Sequence, residues 1–204
     1  MNDAKDLART ARRNAILDVA EEIFLQEGYA AASMSAIAQK VGGSKATLYN
    51  YFSSKEDLFS ACVLRRCEYN RAEIYSLAPD DEDFRAALTR LGKNYVNVVM
   101  SETNLRHFRL IAAEAERTPE FGQIFYETGP ATGVRMFAEL LTRECEKGRL
   151  RIDDIELAAH QFISMCQNKL LKARLCGALP EPSQEEVAHM VESAITVFLK
   201  AYAA

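Results

Sequence analysis

The chain has 204 residues with 25 Lys and Arg, 29 Asp and Glu and a formal net charge of −4, and 49% of its residues are hydrophobic. This balance excludes wholesale disorder, and no apolar run approaches the ~20 residues of a membrane span or follows the N-terminus as a secretory signal would. Because the five cysteines lack paired spacing, we expect reduced thiols and a cytoplasmic protein.

Four predicted helices make up the first part of the chain. Apolar residues at helical spacing predict a first helix from about Ala8 to Glu27, which a glycine ends. Ser33 and Ser44 stand where the N-caps of two short helices are expected, with Gly42-Gly43 between these helices. A longer helix is predicted from Ser54 to about Leu77, with acidic residues in its first turn.

The rest of the chain shows only helical patterns, so the predicted fold class is all-α with about nine helices. With nine Gly and five Pro in 204 residues, few breakers interrupt these patterns. The predicted spans are 83–101, 102–117, a short segment from Pro119, a helix to about Lys147 after a break at Gly129-Pro130, Asp153 to about Cys176, and Gln184 to near Tyr202.

Two short helices joined by a tight glycine turn are typical of a helix-turn-helix. Leu48 and Phe52 anchor the second of these helices, which leaves Lys45, Thr47, Tyr49 and Asn50 on its other side. Such side chains can contact phosphates or base edges in a DNA major groove, and a helix N-terminus at Ser44 favours a phosphate. Tyr49 and Tyr51 lie about 200° apart on a helix, so we place Tyr49 outward and leave Tyr51 open.

Basic residues cluster in front of this motif, although the whole chain is acidic. Residues 1–55 carry seven basic and six acidic residues. Arg9, Arg12 and Arg13 lie within five residues of one another, which fits either a solvated surface or an arm that contacts phosphates. Because a helix-turn-helix follows, we favour the arm.

An almost continuous pattern spans residues 10–60: Ile16-Leu17-Asp18-Val19-Ala20, Phe24, Gly28-Tyr29, Ser33-Met34-Ser35-Ala36-Ile37-Ala38, Gly42-Gly43-Ser44-Lys45-Ala46-Thr47-Leu48-Tyr49-Asn50-Tyr51-Phe52 and Ser54-Lys55-Glu56-Asp57-Leu58. This pattern resembles the DNA-binding domain of TetR/AcrR-type transcriptional regulators. Gly43 departs from it, since that family usually carries Val there, and Ser35 stands where Arg is frequent. The remainder, with 114–120 and 148–151, resembles the AefR-like group of C-terminal domains.

The resemblance implies a homodimer that represses transcription from a palindromic operator, with a DNA-binding domain at 1–55 and a ligand-binding and dimerisation domain at 56–204. It implies that Ser33 and Ser35 lie at the DNA end of the second helix and that Lys55 contacts a phosphate. The residues that it places toward DNA on the third helix are Lys45, Thr47, Tyr49, Asn50 and Tyr51.

The last two predicted helices are expected to form the dimer interface, near 154–176 and 184–202. Apolar residues of the last helix cover more than the single stripe that a surface helix needs. A helix central to its own domain would show the same pattern, and the resemblance favours a four-helix interface between two copies. Aromatic residues in the middle helices predict a small, mostly apolar effector. The candidate contacts are Tyr95, His107, Phe108, Phe125, Phe137, Gln161, Phe162 and Cys166.

The sequence thus predicts a ligand-responsive regulator that is not an enzyme and carries no cofactor and no metal. Glu186 and His189 have the spacing of a di-iron pair, but Glu156 and His160 are four residues apart and do not repeat it. One alternative is a regulator that binds DNA constitutively and has a collapsed pocket. The other is a helical enzyme or carrier, which would need a converging catalytic set that the sequence does not offer.

Overall fold

The computed structural model describes residues 2–76 and 83–204, without the side chains of residues 2–4 and 169. These residues form ten α-helices, one π-helical turn and no strand, which confirms the predicted all-α class. The helices are α1 (Asn2–Glu27), α2 (Met34–Val41), α3 (Lys45–Tyr49), α4 (Lys55–Ile74), α5 (Phe84–Val99), α6 (Glu102–Ala115), α7 (Pro119–Tyr126), α8 (Thr132–Glu146), α9 (Ile155–Leu175) and α10 (Gln184–Tyr202). The predicted end of the fourth helix at Leu77 lies outside the described residues.

The chain divides into two compact units. Unit 1 comprises the chain up to Cys67 together with His107–Phe125, and unit 2 comprises Glu68–Arg106 and Tyr126–Ala204. The helices α4 and α6 therefore contribute residues to both units. The predicted domain boundary between residues 55 and 56 stays a prediction, because compactness divides the chain at other positions.

An aromatic cluster forms the centre of unit 1. The ring of Phe59 lies 5.1 Å from that of Phe24 and 4.5 Å from that of Phe121, and Tyr29 lies 5.2 Å from Phe121. Aromatic pairs at such separations contribute about 0.5–1.5 kcal/mol beyond the area that they bury. The apolar face predicted for the first helix is buried against this cluster: Ile16, Leu17, Ala20, Ile23 and Phe24.

The helices α5, α8, α9 and α10 form the core of unit 2. Phe137 of α8 stacks on Phe162 of α9 at 5.0 Å between ring centroids, and Phe162 meets Phe198 of α10 at 5.4 Å. A Cβ on Gly92 of α5 would lie only 2.6 Å from Cγ1 of Val191. The missing side chain therefore allows α5 to approach α10 closely.

The predicted break at Gly129-Pro130 is wrong, because the chain stays helical from α7 into α8. A π-helical turn at Glu127–Ala131 joins the two helices. Proline has no N–H and cannot complete a regular helical turn, and the wider turn accommodates it. The hydroxyl of Thr132 donates to the carbonyl of Glu127 at 2.7 Å and closes the turn.

The helix α9 is kinked where the sequence predicts one continuous helix. Asn168 has φ 40 and ψ −144, which lies outside the helical region. Asparagine adopts positive φ more readily than most residues with a side chain. The kink separates the first part of α9, which contributes Phe162 and Cys166 to the core of unit 2, from its last two turns.

Candidate nucleic-acid interface and internal cavity

The two helices of the helix-turn-helix are capped as the sequence predicts. The hydroxyl of Ser33 accepts from the backbone N–H of Ala36 at 3.1 Å, and that of Ser44 accepts from the N–H of Thr47 at 3.0 Å. Gly42 ends α2 with φ 73, the left-handed conformation that favours glycine. These local bonds fix the turn that sets the direction of α3.

The helix α3 has a buried side and an exposed side. Leu48 is 2% exposed and Phe52 is buried beside it, so both anchor α3 in unit 1. Tyr49 is 44% exposed, which agrees with its predicted outward position. Tyr51, whose orientation the sequence leaves open, is half-buried and packs against the core of unit 1.

The exposed side of α3 carries the polar residues that the sequence singles out. Lys45 and Asn50 are exposed, and the ammonium of Lys45 lies 5.9 Å from the ring centroid of Tyr49 one turn later. Thr47 is half-buried, with its hydroxyl 2.8 Å from that of Ser44. This face therefore presents a cation, an aromatic ring and an amide, the groups that contact phosphates and base edges.

The serines of the second helix are also accessible. Ser33 and Ser35 are exposed, and the hydroxyl of Ser33 is already engaged as the cap of α2. Ser35 lies in the first turn of the same helix. Of the two, Ser35 thus has its side chain available at the start of α2.

The three arginines in front of the motif lie on α1, which begins at Asn2 rather than near Ala8. The predicted arm is therefore a helix. The guanidinium of Arg13 lies 5.2 Å from the ring centroid of Phe52, and Nη2 of Arg12 donates to the carbonyl of Gly42 at 3.3 Å. Arg9 is exposed. Two of the three cations are thus used within the helix-turn-helix itself.

Lys55 makes contacts that sequence reasoning missed. Its ammonium donates to the carbonyls of Tyr29, Ala32 and Ala30 at 2.8, 3.1 and 3.4 Å, and it lies 4.3 Å from the ring centroid of Tyr29. The phenol of Tyr29 donates to Glu56 at 3.0 Å. Lys55 therefore holds the segment between α1 and α2, and its predicted phosphate contact remains a prediction.

A half-buried carboxylate joins three helices of unit 1. Glu21 of α1 accepts from Nη2 of Arg65 at 2.8 Å and from Nε of Arg66 at 3.0 Å, and Nε2 of His107 lies 2.7 Å from it. Burial opposes ionisation of Glu21, but the hydrogen bonds from His107 and Arg66 outweigh it and lower the pKa to about 2. His107 thus lies in this cluster and not in the cavity of unit 2.

Unit 2 contains a narrow cavity of about 20 Å³, which is room for about one water molecule. Four of the predicted effector contacts line it: Tyr95, Phe137, Phe162 and Cys166. The other lining residues, which were not among the predicted contacts, are Ile74, Tyr75, Leu91, Gly92 and Ile163. None of the described lining residues is charged, so the cavity favours a neutral, mostly apolar molecule.

Two phenols supply the polar groups of this cavity. The hydroxyl of Tyr95 accepts from Nε2 of Gln167, and burial raises the pKa of Tyr95 to about 12. The hydroxyl of Tyr75 donates to the carbonyl of Gly133 at 2.5 Å, and burial likewise raises its pKa. Both phenols stay protonated at neutral pH, and the proton of Tyr95 can be donated to an acceptor.

The remaining predicted effector contacts lie elsewhere. Phe108 and Phe125 contact each other in unit 1 at 5.6 Å between ring centroids. Gln161 is exposed and accepts from the hydroxyl of Tyr202. Their residue types are those that line ligand pockets, but the packing of the helices determines which of them line the same cavity. For Tyr75, the sequence offered one weak indication of a place in the cavity, because it is an aromatic residue directly after α4.

Two of the buried cysteines, Cys62 and Cys166, are protonated thiols. Burial raises the pKa of Cys62 and of Cys166 to about 12. The thiol of Cys62 donates a hydrogen bond to the carbonyl of Leu17, with 3.8 Å between Sγ and the oxygen. Across residues 2–76 and 83–204, no three His, Cys, Asp or Glu side chains are grouped so that they could hold a metal ion. No helix of that part of the chain has both the length and the apolar character to cross a membrane.

Family models match both parts of the chain. Residues 16–62 match the family described as bacterial regulatory proteins, tetR family, and residues 86–204 match the AefR-like transcriptional repressor, C-terminal domain. The short match to 16–62 contains the capped helix-turn-helix, and the longer one contains all of the lining residues but Ile74 and Tyr75.

Solved structures align with nearly the whole chain. A putative TetR-family transcriptional regulator from Mesorhizobium loti is 27% identical with a TM-score of 0.88, over 96% of this chain and 98% of that one. The flavonoid-responsive regulator FrrA is 30% identical with a TM-score of 0.83, over 95% and 98%. The HTH-type transcriptional activator FasR of Mycolicibacterium smegmatis is 44% identical over 62 residues, which are 30% of this chain and only 28% of FasR.

Proposed function

Because the chain belongs to the TetR family of transcriptional regulators, we propose that it is a dimeric repressor that binds a palindromic operator and leaves it when a small, neutral, mostly apolar effector binds. The observation that carries the proposal is the exposed face of α3, where Lys45, Tyr49 and Asn50 lie beside one another on a helix anchored by Leu48. We assign DNA contacts to Ser33, Ser35, Ser44, Lys45, Thr47, Tyr49, Asn50 and Lys55. Tyr51, which the resemblance also places toward DNA, packs against the core of unit 1 and receives no such assignment.

The dimer interface that we propose is formed by α9 and α10 of two copies. Leu157 on α9 is 51% exposed and Val197 on α10 is 52% exposed, although both are apolar. Gln161 and Tyr202 join the two helices by a hydrogen bond. Pairing of this face with its copy would bury these side chains. It would also present two α3 helices to half-sites about 34–36 Å apart or a little more.

The effector site that we propose is the cavity of unit 2. Its uncharged lining and the donor proton of Tyr95 suit a neutral aromatic or aliphatic molecule with one acceptor oxygen. The similarity to the flavonoid-responsive regulator FrrA supports an aromatic effector. The cavity of about 20 Å³ is far smaller than the roughly 300–1,000 Å³ that pockets for drug-sized ligands enclose. The effector that we propose must therefore open the cavity as it binds.

The link between effector and DNA is α4, which begins at Lys55 and ends at Ile74. Ile74 and the following Tyr75 line the cavity, so a molecule that widens it displaces the end of α4. An effector shifts DNA binding only by the difference in its affinity for the two states. Repression is the sign we propose, in line with the AefR-like repressor domain, while FasR is an activator with a similar DNA-binding segment.

The test begins with selection of DNA duplexes from a random library by the wild-type protein, followed by anisotropy titration at two salt concentrations. We expect a palindromic site with saturable binding that resists competitor DNA. A reporter with that site at its promoter distinguishes repression from activation. Weak binding that disappears with salt and selects no sequence would contradict the proposal.

The same duplex then serves to identify the effector and to distinguish a ligand-responsive regulator from one that binds DNA constitutively. Neutral aromatic compounds are compared with their carboxylate counterparts, and we expect the neutral members alone to release the protein. Tyr95→Phe should weaken release by compounds with an acceptor oxygen while leaving DNA binding without effector unchanged. A regulator with a collapsed pocket would bind the duplex and respond to none of them.

A further inference from the structure

We infer that Arg12 is a positioning residue for the recognition helix α3, and that it acts by occupying the space above Gly43 where a side chain would otherwise lie. Nη2 of Arg12 donates to the carbonyl of Gly42 at 3.3 Å across 30 residues of sequence. Arg12 is half-buried, whereas Arg9 and Arg13 beside it on α1 are exposed. The inference rests on the proposed DNA-binding function.

Gly43 is the second part of this arrangement. A Cβ on Gly43 would lie 2.8 Å from Nη2 of Arg12 and 4.0 Å from Cβ of Thr47. Gly42 needs to be glycine because of its φ of 73, but Gly43 is not among the residues with positive φ. Backbone conformation therefore does not require glycine at residue 43. Glycine at this position instead leaves room for the guanidinium of Arg12, which an added Cβ would displace.

The consequence is a contact between α1 and both ends of α3. Arg12 holds the carbonyl of the turn that leads into Ser44, the N-cap of α3. Arg13 lies over Phe52, three residues beyond the end of α3. A five-residue helix has little stability of its own, so its orientation depends on such contacts at its ends. We therefore infer that Arg12 orients Lys45 and Tyr49 toward DNA and does not itself contact DNA.

The experiment is a double-mutant cycle with Arg12→Ala, Gly43→Ala and the double variant. Affinity is measured for the duplex that the wild-type protein selects and for an unrelated duplex. Since Nη2 is the end of a flexible side chain, Gly43→Ala displaces Arg12 without distorting the backbone. We expect each single variant to lose roughly threefold to tenfold in affinity for the selected duplex, the range of one hydrogen bond. The double variant should lose no more than either single one.

Arg9→Ala is the matched control, because it removes the same charge from the same helix away from the turn. Arg12→Ala should lose at least about threefold more selected-duplex affinity than Arg9→Ala, while both change the affinity for the unrelated duplex equally. A phosphate contact would instead flatten the salt dependence by about one unit in Arg12→Ala alone. That result would overturn the positioning role, as would losses that multiply in the double variant or a neutral Gly43→Ala.

Hydrogen exchange in the free protein separates this inference from the proposed function. The amides of Gly43 and Leu48 are bonded to the carbonyls of Ala38 and Ser44 at 3.0 and 3.1 Å. We expect both to exchange faster in Arg12→Ala and in Gly43→Ala, to the same extent. Unchanged exchange would overturn the contact whether or not DNA is bound. If exchange becomes faster in these variants but the wild-type protein selects no duplex, the Arg12 contact is supported and the proposed DNA-binding function is contradicted.

Discussion

Nε2 of His107 on α6 lies 2.7 Å from Oε1 of Glu21 on α1, and Arg65 and Arg66 of α4 donate to the same carboxylate. His107 is 8% exposed, so the contact is largely removed from water. One side chain thus connects three helices of unit 1. Without its charge, the group would lose its ionic attraction to the two guanidinium groups and one of the two oxygens that accept from them.

Glu21→Gln should therefore destabilise the protein by about 1–3 kcal/mol at neutral pH, the usual cost of leaving buried polar groups unsatisfied. Urea unfolding followed by circular dichroism measures the change. Glu27→Gln is the control, because Glu27 is exposed near the end of the same helix. Equal stability of the two variants would show that the cluster contributes nothing to folding.

The pH dependence of this effect has a definite direction. The pKa of Glu21 is lowered from its ordinary 4.5 to about 2 in the folded protein. The stability that its charge contributes is fully present above 4.5 and is lost as the pH falls toward 2. The difference between wild type and Glu21→Gln should shrink as the pH falls from about 5 to about 2. A difference that stays constant over this range would contradict the assigned cause.

Tyr49→Ala and Tyr51→Ala should have opposite consequences. Tyr49 is exposed beside Lys45, so its loss should weaken binding to the selected duplex by roughly 1–3 kcal/mol and leave stability unchanged. Tyr51 packs against the core, and its loss should lower the midpoint of thermal unfolding. Tyr69→Ala removes an exposed tyrosine from α4 as a control. Unchanged duplex affinity in Tyr49→Ala would remove Tyr49 from the DNA-binding surface.

Lys55→Ala should lower stability by about 1–3 kcal/mol, because three backbone carbonyls and the ring of Tyr29 lose their cation. If Lys55 also contacts a phosphate, binding to every duplex should weaken alike and the salt slope should flatten by about one unit. Urea unfolding and titration at several salt concentrations measure the two effects. An altered base preference would rule out the phosphate contact.

Gly92→Ala should destabilise unit 2 by roughly 1–3 kcal/mol through overpacking against Val191. Gly133→Ala is the matched control, since its nearest neighbour, the hydroxyl of Tyr75, lies 3.7 Å from the new Cβ and helical alanine is favoured over glycine. Val191→Ala should recover part of the loss in the double variant. A neutral Gly92→Ala would mean that α5 and α10 separate at little cost.

Local signals carried most of what the sequence could predict about the helix-turn-helix. Ser33, Gly42 and Ser44 act on their own neighbours, through caps and a left-handed turn, and the structure has each where it was expected. At the start of α10, Ser183 and Glu186 form a capping box, which likewise acts only on neighbouring residues. The outward position of Tyr49 followed from helical geometry once Leu48 was taken as the anchor.

Features that depend on distant contacts could not be predicted in this way. Pro130 indicates a break by its own chemistry, yet the π-helical turn keeps α7 and α8 continuous. His107 is polar enough to be an effector contact by its sequence alone. Its actual partner is Glu21, which lies more than eighty residues earlier in the chain. Lys55 resembles a phosphate contact in sequence, whereas its carbonyl partners lie more than twenty residues away.

The burial of the thiols has a practical consequence for labelling. Cys62, Cys67 and Cys166 are buried and Cys145 is half-buried, whereas Cys176 at the end of α9 is exposed. Because reagents such as maleimides attack accessible thiolates, Cys176 of the unaltered chain is the expected attachment point for a spin label or dye. In a dimer, the distance between two such labels would report how far apart the ends of the two α9 helices lie, with and without effector.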